Sequence, residues 1–359
     1  VGSPGEDTTQ SATGRAALNW ADLLIAVQRH EDLGDERASA AMTAIMEGEL
    51  SPLQVAAFLM GLRVKGETAA ELAGLVRTMR AYALPVSVAG PVVDTCGTGG
   101  DRAGTFNVST VAALVAAGAG AKVAKHGNRA ASGRCGSADL LEAWGVVIDL
   151  PPEGVQTCID EVGIGFCFAP AFHPAMKHVM PARRELGVPT VFNFLGPLTN
   201  PAGAQHQTIG VSDARMAPLM ASTLARLGTA HALVFHGHDG LDELTTTGPT
   251  HVWEVRKGEV SEYDFDPVDY GIARASISDL QGGELADNVR IADAVLAGAQ
   301  GPRRDIVLLG AAAALIAADQ FEDWPEALAA AANSIDSGAA RAVLDRWITR
   351  SQQLRPPLG

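Results

Sequence analysis

Three things are scarce in this chain, and each scarcity closes off a class of function. Its four cysteines, Cys96, Cys135, Cys158 and Cys167, contain no CxxC pair. Neither a zinc ribbon nor a dithiol redox motif is supported, and reduced thiols in a cytoplasmic protein are the simpler reading. Basic charge is short as well: 27 Lys and Arg stand against 41 Asp and Glu, a net charge of -14. Such a surface attracts neither nucleic acid nor an anionic membrane, so an anionic ligand would need a local basic pocket. Long apolar runs are missing too. The longest, Ile306 to Ala318, is bracketed by Asp305 and Asp319 and is too short for a bilayer core of about 30 Å, so it reads as a buried helix. No signal-peptide pattern and no internal repeat is visible.

What is present suits a globular protein of about two domains: 359 residues, 47% of them hydrophobic. Residues 1–15 are Ser, Thr, Gly and acidic residues, the composition of a disordered tail. From Ala16 to Tyr82 the pattern is helical, with Trp20, Leu23, Leu24 and Val27 on one face and Val55, Ala56, Leu59, Met60 and Leu62 on another. Ser51-Pro52 and the pair Thr68 and Glu71 read as helix starts. After a linker over Pro85–Pro91, short strands are expected at 122–125, 146–149, 165–168, 208–211 and 232–236, with helices at 138–143, 152–162 and 216–227. Val252–Val255 and Val260–Phe265 flank Lys257-Gly258 as a hairpin, and 284–353 reads as alanine-rich helix. The expected fold class is α/β: a small all-helical N-terminal domain and a larger α/β domain with a mostly parallel central sheet covered by helices. The helical domain would take residues 16–85, completed by 174–201, and the α/β domain 86–173 and 202–359.

The chain is organised around VVDTCGTGGDRAGTFNVST, residues 92–110. A short apolar strand runs into Gly97, Gly99 and Gly100, whose N–H groups can close around an anion. Asn107, Ser109 and Thr110 are N-cap types before an apolar helix whose free N–H groups favour phosphate. Asp101 cannot attract phosphate itself; it would bond a sugar hydroxyl or hold a cation. The spacing fits neither GxGxxG nor GxxxxGK[ST], and the plain alternative is a tight turn.

Three more clusters follow strands or helices. Lys125-His126-Gly127-Asn128-Arg129, then Ala130 to Gly136, would make a polyanion site at a strand's carboxyl end, or else a solvated basic loop. Asp242-Glu243 in HGHDGLDELTTT suits a hard cation such as Mg²⁺, or else is a surface acidic pair. His236 and His238 have an HxH spacing without a third ligand nearby in sequence, so a transition-metal site is set aside. His173, Pro174 and Arg183-Arg184-Glu185, with Asn193, Gly196 and Pro197 beyond, could hold a second, carboxylate-bearing ligand, or be a charged helix face.

The segments GTGGD, NVST, KHGNRAAS, GFCFAPAFHPAM, ARRELGVPTVFNFLGPLTNP and HGHDGLDELT, in this order, resemble the anthranilate phosphoribosyltransferase family from Trp20 onward. The resemblance implies a nucleoside phosphorylase/phosphoribosyltransferase-like fold, a homodimer through the helical domain, and transfer of phosphoribosyl from phosphoribosyl pyrophosphate to anthranilate in tryptophan biosynthesis. It places phosphoribosyl pyrophosphate on Gly97, Gly100, Asp101, Thr105, Asn107, Val108, Ser109 and Thr110, and on Lys125, Gly127, Asn128, Arg129, Ala130, Ala131, Ser132, Gly133 and Cys135. Anthranilate falls to Gly97, Asn128 and Arg183, with His126, Ala169, Pro170, His173 and Gly196 lining its approach. Mg²⁺, two ions, falls to Ser109, Asp242 and Glu243, and the catalytic residues to Lys125, Asp101 and Arg183.

Two positions depart from the family pattern. Gly133 stands in place of a second serine, which is harmless if that position acts through its N–H and otherwise costs roughly 1.5–3 kcal/mol of phosphate binding. Trp144 replaces a leucine and is expected to be absorbed by packing. A nucleoside phosphorylase-like enzyme would not need the acidic pair or Arg183, and a noncatalytic nucleic-acid-binding relative would show a basic face. Neither matches these residues or this charge.

Overall fold

A computed structural model of the chain describes residues 19–130 and 135–356. The expected tail at 1–15, and Ala131, Ser132 and Gly133, lie outside the described residues. No helix among those described is long and apolar enough to cross a membrane.

Four helices open the chain: α1 Trp20–Gln28, α2 Gly34–Met46, α3 Pro52–Lys65 and α4 Ala69–Ala81. Their starts are fixed locally. Ser51 with Gln54 and Thr68 with Glu71 form reciprocal capping boxes, and Pro52 occupies the first helical position, where its missing N–H costs nothing. Leu23, Val27, Phe58, Leu59, Leu62 and Leu72 are buried in one apolar core.

The remainder builds a seven-stranded sheet of order β3-β2-β1-β4-β5-β6-β7. β1 Val93–Gly97 leads through α5 Val108–Gly118 to β2 Val123–Gly127, and α6 Ser137–Ala143 and α7 Pro152–Val162 lead to β3 Ile164–Phe168. The chain then leaves the sheet through α8 Ala169–Phe172, α9 Met180–Leu186 and α10 Phe192–Leu198. It returns on the other side of β1 as β4 His206–Gly210, and continues through α11 Ala217–Arg226 to β5 His231–Gly237. These five strands are parallel. β6 Thr250–Arg256 and β7 Glu259–Phe265 add an antiparallel edge, joined by a two-residue turn with positive φ at Lys257 and Gly258. After α12 Ile277–Leu280, the helices α13 Leu285–Leu296, α14 Pro302–Ala317, α15 Trp324–Asp336 and α16 Ala339–Gln353 end the fold.

Helices α5, α14, α15 and α16 share a core with one face of the sheet. On the other face α11, α9, α10 and the four N-terminal helices form a single core with Ile209, Ala232 and Val234. The chain thus starts in mid-sheet, walks outward to β3 and restarts beyond β1, so a topological switch point falls between β1 and β4.

One expectation needs correcting. Val146–Asp149 is not a strand: Val146, Val147 and Ile148 are buried, but the Val147 N–H donates to Ser351 Oγ at 3.1 Å on α16, so the segment lies on a helix instead of pairing with a strand. Trp144 is half-buried and packs against the core as expected, and its indole N–H donates to Asp293 Oδ1 at 3.2 Å.

Packing in the helical domain is tight enough to reverse a propensity rule. A Cβ on Gly74 would lie 2.3 Å from the Asp35 carbonyl oxygen of α2. Alanine normally stabilises a helix interior by about 1 kcal/mol relative to glycine, whereas this contact forces overpacking that costs typically about 1–3 kcal/mol. Gly74→Ala should therefore lower stability in urea titration; a gain would show that α2 and α4 are not in this contact.

Candidate active site

The switch point brings the sequence motifs together. β1 ends at Gly97 and β4 at Gly210, paired with each other, and the loop after β5 carrying Asp242 and Glu243 lies across both ends. A Cβ on Gly210 would stand 1.7 Å from the Asp242 carbonyl oxygen, and one on Gly97 2.4 Å from Asp242 Oδ2. Only glycine at both positions admits the acidic loop. The Gly99 N–H then donates to Asp242 Oδ2 at 2.7 Å. Asp239 braces the loop from within: its carboxylate accepts from Leu241 N at 3.0 Å, from Thr245 Oγ1 at 2.7 Å and from Thr247 Oγ1.

The glycine loop is held on two sides. Ser212, after β4, donates from Oγ to the Gly99 carbonyl at 2.7 Å. Thr105 bridges Gln281, with Phe106 N donating to Leu280 O at 3.2 Å. Helix α5 begins at Val108, earlier than its apolar run suggests, and Asn107 sits at its N-cap without capping it. Instead the Asn107 amide donates to the Cys135 carbonyl at 3.0 Å, which ties the glycine loop to the segment after β2. Neither Asp101 Oδ2 nor Asn107 Oδ1 has a hydrogen-bond partner among the described residues, although both are buried. Such orphaned acceptors are expensive unless a ligand completes them.

The carboxylates are charged at a cost. Burial, then the neighbouring Asp101 charge, pushes Asp242 up to about 7. Glu243 is raised well above its ordinary value by burial and by Asp242, partly opposed by Lys125 and the Ser109 N–H. Together with Asp101, these two raised carboxylates form an oxygen-rich donor set that fits a hard divalent cation, whose charge would reverse both shifts.

Lys125 is not a solvated cation. It is buried, and its ammonium donates to the Thr95 carbonyl at 2.5 Å and approaches Ser109 Oγ at 3.4 Å. Burial lowers its pKa and the Asp94 carboxylate holds it up. Asp94, unnoticed as a site residue in the sequence, also accepts from His126 N at 3.0 Å. Arg129 is turned away to Asp139 and Glu142 at 3.0 and 2.8 Å, so its charge is neutralised on α6. Asn128 accepts from Arg129 N at 2.7 Å, and Ala130 N donates to Asp139 at 3.2 Å, which orders the segment after Gly127.

The second half of the site gathers around α10. Arg183 of α9 lies 5.6 Å over the Phe192 ring, has no carboxylate partner among the described residues, and is lowered by burial. One turn further along α10, the Gly196 carbonyl is 3.1 Å from His126 Nδ1, and a Cβ on Gly196 would meet open space. His126 and His173 face each other at 5.1 Å between ring centroids, and the Nε2 of each is buried without a partner among the described residues. Ala169 and Pro170 open α8 at the carboxyl end of β3, beside His173. Burial, reinforced by the neighbouring His173, lowers His126 to about 3, and burial lowers His173 to about 4.

A helical bundle set on an α/β sheet, with an anion loop, a cation-seeking carboxylate cluster and an unpaired guanidinium at the switch point, defines a transferase of phosphorylated sugars. Matches to known families agree: the glycosyl transferase family helical bundle domain spans residues 21–83 and the glycosyl transferase family a/b domain residues 89–341. The anthranilate phosphoribosyltransferase of Roseiflexus castenholzii is 56% identical over 92% of this chain and 98% of its own length. That of Symbiobacterium thermophilum is 55% identical over 93% and 98%. The solved enzyme of Thermus thermophilus superposes with a TM-score of 0.88 at 46% identity, covering 92% of this chain and 99% of that one. The Saccharomyces cerevisiae enzyme in complex with phosphoribosyl pyrophosphate and Mg gives 0.84 at 29% identity, covering 94% and 99%. The chain belongs to the anthranilate phosphoribosyltransferase family.

The buried imidazoles make a signed pH prediction. With folded values near 3 and 4 against about 6.5 unfolded, each histidine stabilises the fold fully above pH 6.5 and loses that contribution as pH falls. The raised carboxylates act oppositely, so the readout must be a difference. From pH 7 to pH 5 the wild type should lose about 2 kcal/mol relative to His126→Gln, measured by urea unfolding at both values. A difference that does not move with pH would mean that His126 is not held neutral by burial.

Proposed function

We infer that this chain transfers the phosphoribosyl group of phosphoribosyl pyrophosphate to the amino group of anthranilate, giving N-(5-phosphoribosyl)anthranilate and pyrophosphate, as its family does in tryptophan biosynthesis. The observation that carries this reading is the pairing of two unlike half-sites: N–H groups with clustered carboxylates on one side, an unpaired guanidinium with neutral imidazoles on the other. Solved yeast relatives are described with phosphoribosyl pyrophosphate and Mg, and with 4-fluoroanthranilate.

Glycine-loop N–H groups and the start of α5 bind the phosphates, and Asn107 Oδ1 and Asp101 Oδ2 take hydroxyl donors of the sugar. Asp242, Glu243 and Ser109, with Asp101 adjacent, would hold Mg²⁺, two ions. Bound Mg²⁺ supplies charge neutralisation for the pyrophosphate leaving group. Lys125, engaged with Thr95 and Ser109, acts from beneath as a positioning residue and a fixed positive charge. Arg183 takes the anthranilate carboxylate and so aims the amine, which is unprotonated near pH 7, at the anomeric carbon. As the C–N bond forms, the C–O bond to pyrophosphate breaks with its electron pair. The nitrogen then sheds one proton, for which His126 and His173 supply neutral acceptors.

We also propose a homodimer built on the helical domain. Leu53, Ala57, Met60 and Val64 form a stripe along α3 at helical spacing, with Leu53 80% and Val64 70% exposed, and Ile25 on α1 at 42%. A fully active monomer in light scattering at micromolar concentration would sink this proposal. The four free thiols support placement in a reducing cytoplasm.

Paired variants test the assignment of the two halves. Removing one partner of a buried ion pair costs about 3–5 kcal/mol, roughly two to four decades. Arg183→Ala should weaken use of anthranilate by up to that much while leaving calorimetric binding of phosphoribosyl pyrophosphate nearly unchanged. Asp242→Asn with Glu243→Gln should do the reverse, shifting the Mg²⁺ dependence of phosphoribosyl pyrophosphate binding. Equal damage to both ligands by either variant would withdraw the corresponding assignment.

A further inference from the structure

At the antiparallel edge of the sheet, away from the switch point, His238, His251 and Asp264 each bring one ligand atom to within 4.8 Å of the others. His238 is the first residue after β5, while His251 on β6 and Asp264 on β7 are direct cross-strand partners and so point to one face. His251 Nδ1 is 2.7 Å from Asp264 Oδ1, and His238 Nε2 is 3.5 Å from the same oxygen. The HxH spacing offered no third ligand nearby in sequence because the missing ligands come from two later strands.

We propose that His238, His251 and Asp264 form a binding site for a first-row transition metal ion, with Zn²⁺ the ion its two imidazoles and one carboxylate suit. Tetrahedral zinc with bonds of about 2.0–2.1 Å sets neighbouring ligand atoms about 3.3 Å apart. The observed 2.7 and 3.5 Å bracket that value. A further carboxylate is already set behind the site: Glu262 Oε2 lies 3.4 Å from His251 Nε2, leaving Nδ1 as the metal-facing nitrogen. Trp253 meets the same imidazole edge-on at 4.3 Å and restricts its rotation. The three side chains are 50%, 30% and 58% exposed, so an ion reaches them without the fold opening, and water fills the fourth position. Mg²⁺ does not compete, since it prefers an all-oxygen octahedral shell. Metal here ties the start of the loop bearing Asp242 and Glu243 to the β6–β7 hairpin. The competing reading is a plain cross-strand ion pair, which binds no metal.

Calorimetric titration of the full chain with Zn²⁺, in excess Mg²⁺ to occupy the carboxylates at the switch point, distinguishes the two. The wild type should take up one Zn²⁺ per chain, with His238→Asn and His251→Asn each weakening it at least tenfold, and Zn²⁺ should raise Tm in the wild type but not in the variants. Co²⁺ in place of Zn²⁺ should give a visible absorption band that His251→Asn abolishes. Absence of uptake by the wild type, or equal affinity in wild type and variants, would overturn the site. His238 lies outside the strands, so His238→Asn keeps the test decisive even if His251→Asn folds poorly.

Discussion

The contact on which the rest of the site depends is the seating of Asp242 over the ends of β1 and β4. No side chain fits beneath it, and two glycines from distant parts of the sequence make the room. Once seated, the loop places its carboxylates beside Asp101 and receives the Gly99 N–H. The arrangement is electrostatically unfavourable by itself, since like charges converge out of water. Asp239 and Ser212 hold the two loops in place through neutral and charge-assisted hydrogen bonds, so the penalty is carried by the fold until a cation offsets it.

The connection from β3 back to β4 gives the second half of the site its position. Arg80 of α4 donates to the Leu198 carbonyl at 2.8 Å. On the sheet side Asn200 donates to Ala124 O at 2.7 Å and Gln207 to Pro197 O at 2.9 Å. Helix α10 is therefore bonded to both the helical domain and the sheet, with Phe192, Leu195 and Leu198 in the core they share. The guanidinium of Arg183 and the imidazole of His126 are both registered against this one short helix, which fixes the proposed acceptor site relative to the glycine loop.

Much of this was legible because it is local. The capping boxes, the Lys257-Gly258 turn and the 3.6-residue patterns of the N-terminal helices are short-range rules, and the structure follows them. What was not legible is non-local pairing. Val146–Asp149 is as apolar as a strand, but which partner takes its N–H groups is decided by Ser351, about two hundred residues on. Helix α10 hides in a Gly-Pro stretch because Pro197 lies inside it, where a proline normally argues against a helix by removing an i→i−4 hydrogen bond. Asp94 and Asp239 lie within the quoted motifs but suggested no role there, and Ser212 lies outside them; their importance follows from what the sheet order sets beside them. The partners gathered around His238 were invisible for the same reason.

An acidic chain that handles two anionic substrates must spend its few cations selectively. At this site Lys125 is compensated by Asp94 and bound to Thr95, and Arg129 by Asp139 and Glu142. Both charges are thus already engaged within the fold, which supports the proposed reading in which backbone N–H groups and a cation held by the carboxylates meet the pyrophosphate end. That division has a chemical advantage. N–H dipoles fixed by the fold need no reorganisation as charge moves onto the leaving group. Arg183 has no carboxylate partner among the described residues and is half-buried against Phe192, where its charge is only partly screened. A planar fork so placed can meet a carboxylate with two parallel hydrogen bonds, which is the geometry on which the proposed anthranilate role of Arg183 rests.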